Sequence, residues 1–387
     1  MRRIIIYLFA LSFWLCSCNQ NDDMPTVSSQ TEQTVIMFFP WSTNLTSYFL
    51  QNIKDFESAI ESNILTNERV LVCFSQSPTK AILFELKYDK GKSVRDTLKY
   101  YEDPAFTTSE GITSVLNDIK TISPANRYAM IIGCHGMGWL PVAQTKASGM
   151  TTKFHWDYKG GPMTRFFGGL TSEYQINTTT LAEGITDAGI KMDYILFDDC
   201  YMSTIEVAYD LKDVTNYLIA CPTEIMAYGF PYQTVAPFLL GDVDYSSVCN
   251  AFYNFYSNYS SPYGTIGVTD CAELDSLAVI MKEINQQFTF KTSQLTDIQR
   301  MDGYSPVLFF DLGDYVAHLC EDSSLLELFN QQLNRAVPYK AHTAKYYSAI
   351  INGAVAINSY SGTVVSDPST NSLASLKEET KWYKATH

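Results

Sequence analysis

The sequence contains no long run of basic residues. Against 27 Lys and Arg it carries 41 Asp and Glu, a formal charge of −14. That balance excludes a nucleic-acid partner and an electrostatic hold on anionic lipid, and its field favours cationic substrates. No stretch beyond the N-terminal region is apolar for the roughly 20 residues that a membrane-spanning helix needs. Paired-cysteine spacing is missing too. Cys16 and Cys18 lie near the start, and the other seven of nine cysteines (Cys73, Cys134, Cys200, Cys221, Cys249, Cys271 and Cys320) are scattered without a CxxC. An odd, scattered set is no disulfide framework, and the apolar runs around Cys73, Cys134 and Cys221 make them buried small hydrophobes. The Gly-x-Ser-x-Gly elbow of serine hydrolases is absent. So is an EF-hand loop, which leaves Asp242 and Asp244 as solvated surface. Cys134, His135 and His155 match no zinc spacing, and no metal site is expected.

What is present begins with MRRIIIYLFALSFWLCSC (1–18), where Arg2 and Arg3 precede an apolar run that ends in a small residue and Cys18. This is the layout of an export signal. The tetrad Leu15-Cys16-Ser17-Cys18 resembles a bacterial lipobox, which implies cleavage after residue 17 and lipidation of Cys18. The expected product is a lipoprotein of the bacterial cell envelope, tied to the membrane through its lipid anchor. Residues 19–33 are polar, aperiodic and contain Pro25, so they cannot bury enough surface to offset their ordering entropy. The expected division is a signal peptide at 1–17, a flexible tether at 18–33, a main domain at 34–240 and a C-terminal subdomain at 241–387.

Five short apolar runs read as strands buried on both faces: TVIMFF (34–39), RVLVCF (69–74), YAMIIGC (128–134), YILFDD (194–199) and YLIAC (217–221). Helical spacing fills 45–62, 109–122, 179–188 and 203–211, with caps at Ser109 and at Asn177 with Thr178. Strand and helix in alternation predict an α/β fold, a mostly parallel sheet covered on both sides. AILFELKY (81–88) and TLKYYE (97–102) read as an antiparallel hairpin that departs from that sheet. The Gly-rich stretch 137–175 has no periodicity, which marks a functional loop. Beyond Gly241 the pattern turns mainly helical.

Chemistry gathers where parallel strands end. Two ends here deliver reactive residues, His135-Gly136 after the third run and Cys200 after the fourth. A cysteine peptidase needs a thiolate to attack the carbonyl, a histidine to protonate the departing amine, and backbone N–H groups for the oxyanion. Gly136, lacking Cβ, lets a substrate backbone come close. Asp198 has two roles open, lining a pocket for a cationic side chain or capping the helix that follows.

GCHGMGW (133–139) is similar to the histidine motif of clostripain-like peptidases. FDDCYMSTIEVAYDL (197–211) is similar to their cysteine motif, matching at Asp198, Cys200, Met202 and Glu206, with Asp199 where the family often has Ala. Looser agreement covers WSTNL (41–45), AYGFPY (227–232) and FFDLGDYVAHL (309–319). The resemblance implies the caspase-like fold, a three-layer αβα sandwich, and a monomeric cysteine endopeptidase acting on polypeptides. Cys200 is then the nucleophile, His135 the general acid/base, and the N–H groups of Gly136 and Cys200 the oxyanion hole, with no third residue required to orient the histidine. It also implies cleavage after Arg or Lys through Asp198, with Asp199 as a spare pocket carboxylate, and activation by self-cleavage in 137–175, where Lys146 is the candidate. Calcium, an occasional helper in the family, enters by resemblance alone, and no cofactor is expected. The competing reading is a caspase-like surface lipoprotein of little activity that binds peptides or protein partners.

Overall fold

The apolar runs become the interior of one sheet. The computed structural model describes residues 31–42, 44–142 and 172–387. Its strands include β1 (Thr31–Phe39), β2 (Glu68–Ser77), β3 (Lys80–Asp89), β4 (Lys92–Glu102), β5 (Ala125–Ile132), β6 (Met192–Phe197), β7 (Thr215–Ala220), β8 (Thr265–Asp270), β9 (Phe310–Asp311) and β10 (Tyr339–His342). Nine of them form a sheet in the order β10-β8-β7-β6-β5-β1-β2-β3-β4. The central five, β7-β6-β5-β1-β2, are parallel, and antiparallel pairs flank them at both edges. Central strands such as β1 are buried on both faces, which is why they read as unbroken hydrophobic runs rather than alternating ones.

The helices are α1 (Thr46–Ile60), α2 (Ser109–Ile122), α3 (Thr178–Asp187), α4 (Ile205–Leu211), α5 (Tyr232–Leu239), α6 (Tyr245–Asn258), α7 (Leu274–Gln287), α8 (Leu312–Leu319), α9 (Ser323–Ala336) and α10 (Lys381–Thr386). One layer packs α1 on α5 and α5 on α6; the other runs α2, α3, α4, α10, α7, α9. The chain steps from β1 to β2 in one direction and then returns to place β5 on the other side of β1. Right-handed crossovers therefore put α1 and α2 on opposite faces, and a crevice opens between the ends of β1 and β5. Among the described residues no helix is long and apolar enough to cross a membrane.

Several expectations change. The tether was expected to run to residue 33, but β1 starts at Thr31, because Gln33 pairs with both Glu68 and Arg127. The hairpin at 81–102 does not depart from the sheet. β3 pairs with β2 along its length and is buried through most of its middle, and Arg69 grips Glu85 with two bonds of 2.8 Å. The stretch after Gly241 is mainly helical but adds β8 and β10 to the same sheet, and one hydrophobic core runs from Val35 to Trp382. Thr108, not Ser109, caps α2, its side chain accepting from the N–H of Gly111. Asn177 accepts instead from the N–H of Val142 at 2.9 Å. The signal region with Cys18 and the self-cleavage candidate Lys146 lie outside the described residues.

Candidate active site

Strands β1, β5, β6 and β7 are consecutive in the sheet, so the loops leaving their carboxyl ends meet along one edge. His135 leaves β5 and Cys200 leaves β6, and both are buried. The two loops are in hard contact. A Cβ on Gly136 would fall 2.2 Å from the carbonyl oxygen of Cys200 and 3.0 Å from Asp199 Cβ. Only a glycine lets the backbones approach so closely. Gly138, at φ +61°, continues the wrap, with Tyr201 O and the side chains of Thr204 and Phe309 beside it.

Asp199 fastens the loops across the gap. Its Oδ1 accepts the N–H of Cys134 at 2.6 Å, and the Cys134 thiol lies 3.5 Å from Oδ2. Asp198 faces the other way, accepting the Phe230 N–H and the Tyr232 hydroxyl at 3.0 Å each. It does not cap α4; Thr204 does, through its Oγ1 and the N–H of Val207 at 3.1 Å. The thiol of Cys200 accepts the Ile225 N–H at 3.3 Å from the loop after β7. Immediately beyond it, Tyr201 sits at φ +59°, a conformation that costs a bulky residue free energy and persists only when the surroundings enforce it. Here they do: its hydroxyl donates to Glu224 at 2.8 Å and its ring lies 5.1 Å from that of Phe309.

Three of the other thiols are held in the protonated form. Cys73, Cys249 and Cys271 are free and buried. Burial pushes Cys249 and Cys271 up to about 12 and Cys73 further still, so they stay protonated.

The sequence reading missed the braces that come from far along the chain. Ser366 donates its N–H to Glu206 at 2.8 Å and accepts the Trp139 indole N–H at 2.9 Å, tying α4 to the histidine loop. The Tyr304 hydroxyl lies 3.6 Å from Met137 Sδ. No local spacing marks Ser366, Glu224 or Tyr304. Asn44, Phe230 and Tyr232 do fall inside the segments of looser resemblance, although their bonds could not be read there.

Glu206 is buried, and burial, with nearby Asp367 adding to it, pushes its carboxyl up to about 8. Burial also raises Asp367, with His387 and Lys377 opposing. A carboxyl raised on folding contributes stability that is complete below the ordinary carboxyl range and is lost as pH rises through the folded value. Thermal unfolding midpoints are therefore expected to fall between about pH 4.5 and about pH 8, and Glu206→Gln should flatten the fall. An equal slope in wild type and Glu206→Gln would assign the effect elsewhere.

Comparison with known proteins follows the same lines. The Clostripain family profile (Peptidase C11) matches residues 38–372. A secreted C11 cysteine protease from Bacteroides thetaiotaomicron, iotapain, is 59% identical with a TM-score of 0.87, covering 92% of this chain and 100% of its own. A clostripain from Bacteroides thetaiotaomicron, solved with the peptide inhibitor BTN-VLTK-AOMK, is 61% identical with a TM-score of 0.57, covering 57% of this chain and 99% of its own. An inactive zymogen C11 protease from Parabacteroides distasonis is 26% identical with a TM-score of 0.76, covering 93% and 99%. No curated protein matches.

Proposed function

The chain belongs to the clostripain family of cysteine peptidases, and we propose that it is an exported endopeptidase that cuts after Lys or Arg with Cys200 and His135 as its dyad. The observation that carries this reading is the hard contact between the loops after β5 and β6, in which Gly136, next to His135, lies against the backbone of Cys200. The Cys200 thiol gives its proton to His135, and Sγ attacks the scissile carbonyl carbon. The oxyanion is held by the N–H groups of Gly136 and Cys200. His135 then protonates the departing amine, and water, deprotonated by the same imidazole, releases the acid from the thioester.

Asp198 is assigned to the basic pocket. It lies two residues before the nucleophile, fixed by Phe230 and Tyr232 rather than by helix capping. A carboxylate there favours a cation through a charge-assisted hydrogen bond of about 1.5–3 kcal/mol. The lysine-ending inhibitor on a 61% identical relative supports this assignment. Asp199, the spare candidate, is engaged in the staple to Cys134. Self-cleavage at Lys146 and lipidation at Cys18 belong to the same reading. A relative described as an inactive zymogen and another described as secreted support activation and export respectively.

Cleavage-site profiling with a peptide library tests activity and pocket charge together. Wild type is expected to cut after Lys or Arg and Cys200→Ala to cut nothing. Cleavage after uncharged residues alone would refute the pocket, and identical products from Cys200→Ala would refute the dyad.

A further inference from the structure

His135 has a partner that the dyad does not include. Its Nε2 lies 2.6 Å from Oδ1 of Asn44, a residue 91 positions earlier, in the loop after β1 and across the crevice from β5. We propose that Asn44 is a positioning residue for the histidine, holding the proton of the neutral imidazole on Nε2 so that Nδ1 faces Cys200. This assignment rests on the dyad reading above.

An amide oxygen only accepts, so the ring nitrogen facing it carries the proton, and the neutral ring keeps its lone pair on Nδ1. When Nδ1 takes the thiol proton, Nε2–H stays on Asn44 and the bond becomes charge-assisted, favouring the ion pair. Because the amide is neutral, the imidazolium still surrenders its proton to the leaving amine. Backbone bonds tie the flanks of Asn44 to the start of α1. The Asn44 N–H donates to Ser42 O at 2.7 Å, and Leu45 O accepts from Tyr48 and Phe49 at 2.9 and 3.0 Å, clamping the loop to the first turn of α1. Ser42 and Leu45 are buried, while Asn44 itself is exposed.

Among the described residues, the titratable groups on the neighbouring loops include Cys134 beside the histidine, Asp198, Asp199, Cys200 and Tyr201 after β6, and Cys221, Glu224 and Tyr228 after β7. None of them changes in the variants below, so a shift in pH profile reports position 44. The test uses the mature chain and a peptide with Lys before the scissile bond. Asn44→Ala is expected to lower kcat about 10- to 100-fold with little change in KM. Asn44→Asp should recover most of that loss and move the alkaline limb of kcat/KM to higher pH, because a carboxylate beside the ring holds its proton longer. A purely structural side chain would move neither limb. Equal kcat in Asn44→Ala and wild type, or an unmoved limb in Asn44→Asp, overturns the assignment. A wild type that neither cleaves the peptide nor reacts at Cys200 with a lysine-ending peptidyl ketone overturns the dyad, and this assignment with it.

Discussion

Gly136→Ala is expected to silence hydrolysis almost as completely as Cys200→Ala. The added methyl would stand 2.2 Å from the Cys200 carbonyl oxygen and 3.0 Å from Asp199 Cβ and Met202 Cγ. The nearest of these is backbone and cannot swing aside, so the two loops must part by on the order of 1 Å. A displacement of that size at reacting groups costs about 100-fold, and moving an oxyanion donor costs roughly 100- to 1,000-fold on its own. Together they predict a loss in kcat/KM of about 1,000-fold or more. The sheet beneath the loops is independent of the contact, so the far-ultraviolet spectrum should stay that of wild type. Turnover within about tenfold of wild type would show that the loops separate freely and that the Gly136 amide does not hold the oxyanion.

Asp198→Asn carries the second large effect, and it falls on selectivity. The isostere keeps the volume but removes the charge and turns an NH2 toward a site where Phe230 N–H and Tyr232 O–H both donate. Two donors facing each other cost about 1–3 kcal/mol of stability. Losing the charge removes about 1.5–3 kcal/mol from a cationic side chain, roughly 10- to 150-fold in kcat/KM. A substrate with norleucine in place of lysine makes no such bond and should lose far less. The ratio of the two substrates therefore isolates the pocket from any general damage. An unchanged ratio would leave Asp198 as a structural carboxylate and send the search for the pocket elsewhere.

Much of this fold was legible because its central strands are buried on both faces, and burial writes itself into local sequence as unbroken apolar runs. The five parallel strands were all read that way. β8 and β10 were not, because TIGVTD and YKAH are short and mix polar residues into antiparallel pairing near the sheet edge. The proposed dyad was visible because each member sits at a strand end. Its supports were not, because hydrogen bonds between loops leave no periodic trace. Asp199 reaches Cys134 over 65 residues and His135 reaches Asn44 over 91. In the sequence Asp199 stands out as unusual for the family and as a spare pocket carboxylate. Its place in the cross-loop staple gives that oddity a physical cause, a buried N–H that needs an acceptor.

The long-range braces also set a clock. Glu206 receives its bond from Ser366, and Ser203 O accepts Thr363 Oγ1, both across 160 residues of chain. At ribosomal rates of about 5–20 residues per second, roughly 8 to 30 seconds separate synthesis of the segment around α4 from synthesis of its brace. During that interval α4 has α3 beside it but lacks the bonds from Thr363 and Ser366 at its N-terminal end. The brace is thus among the last parts of the chain to be made, well after both residues of the proposed dyad.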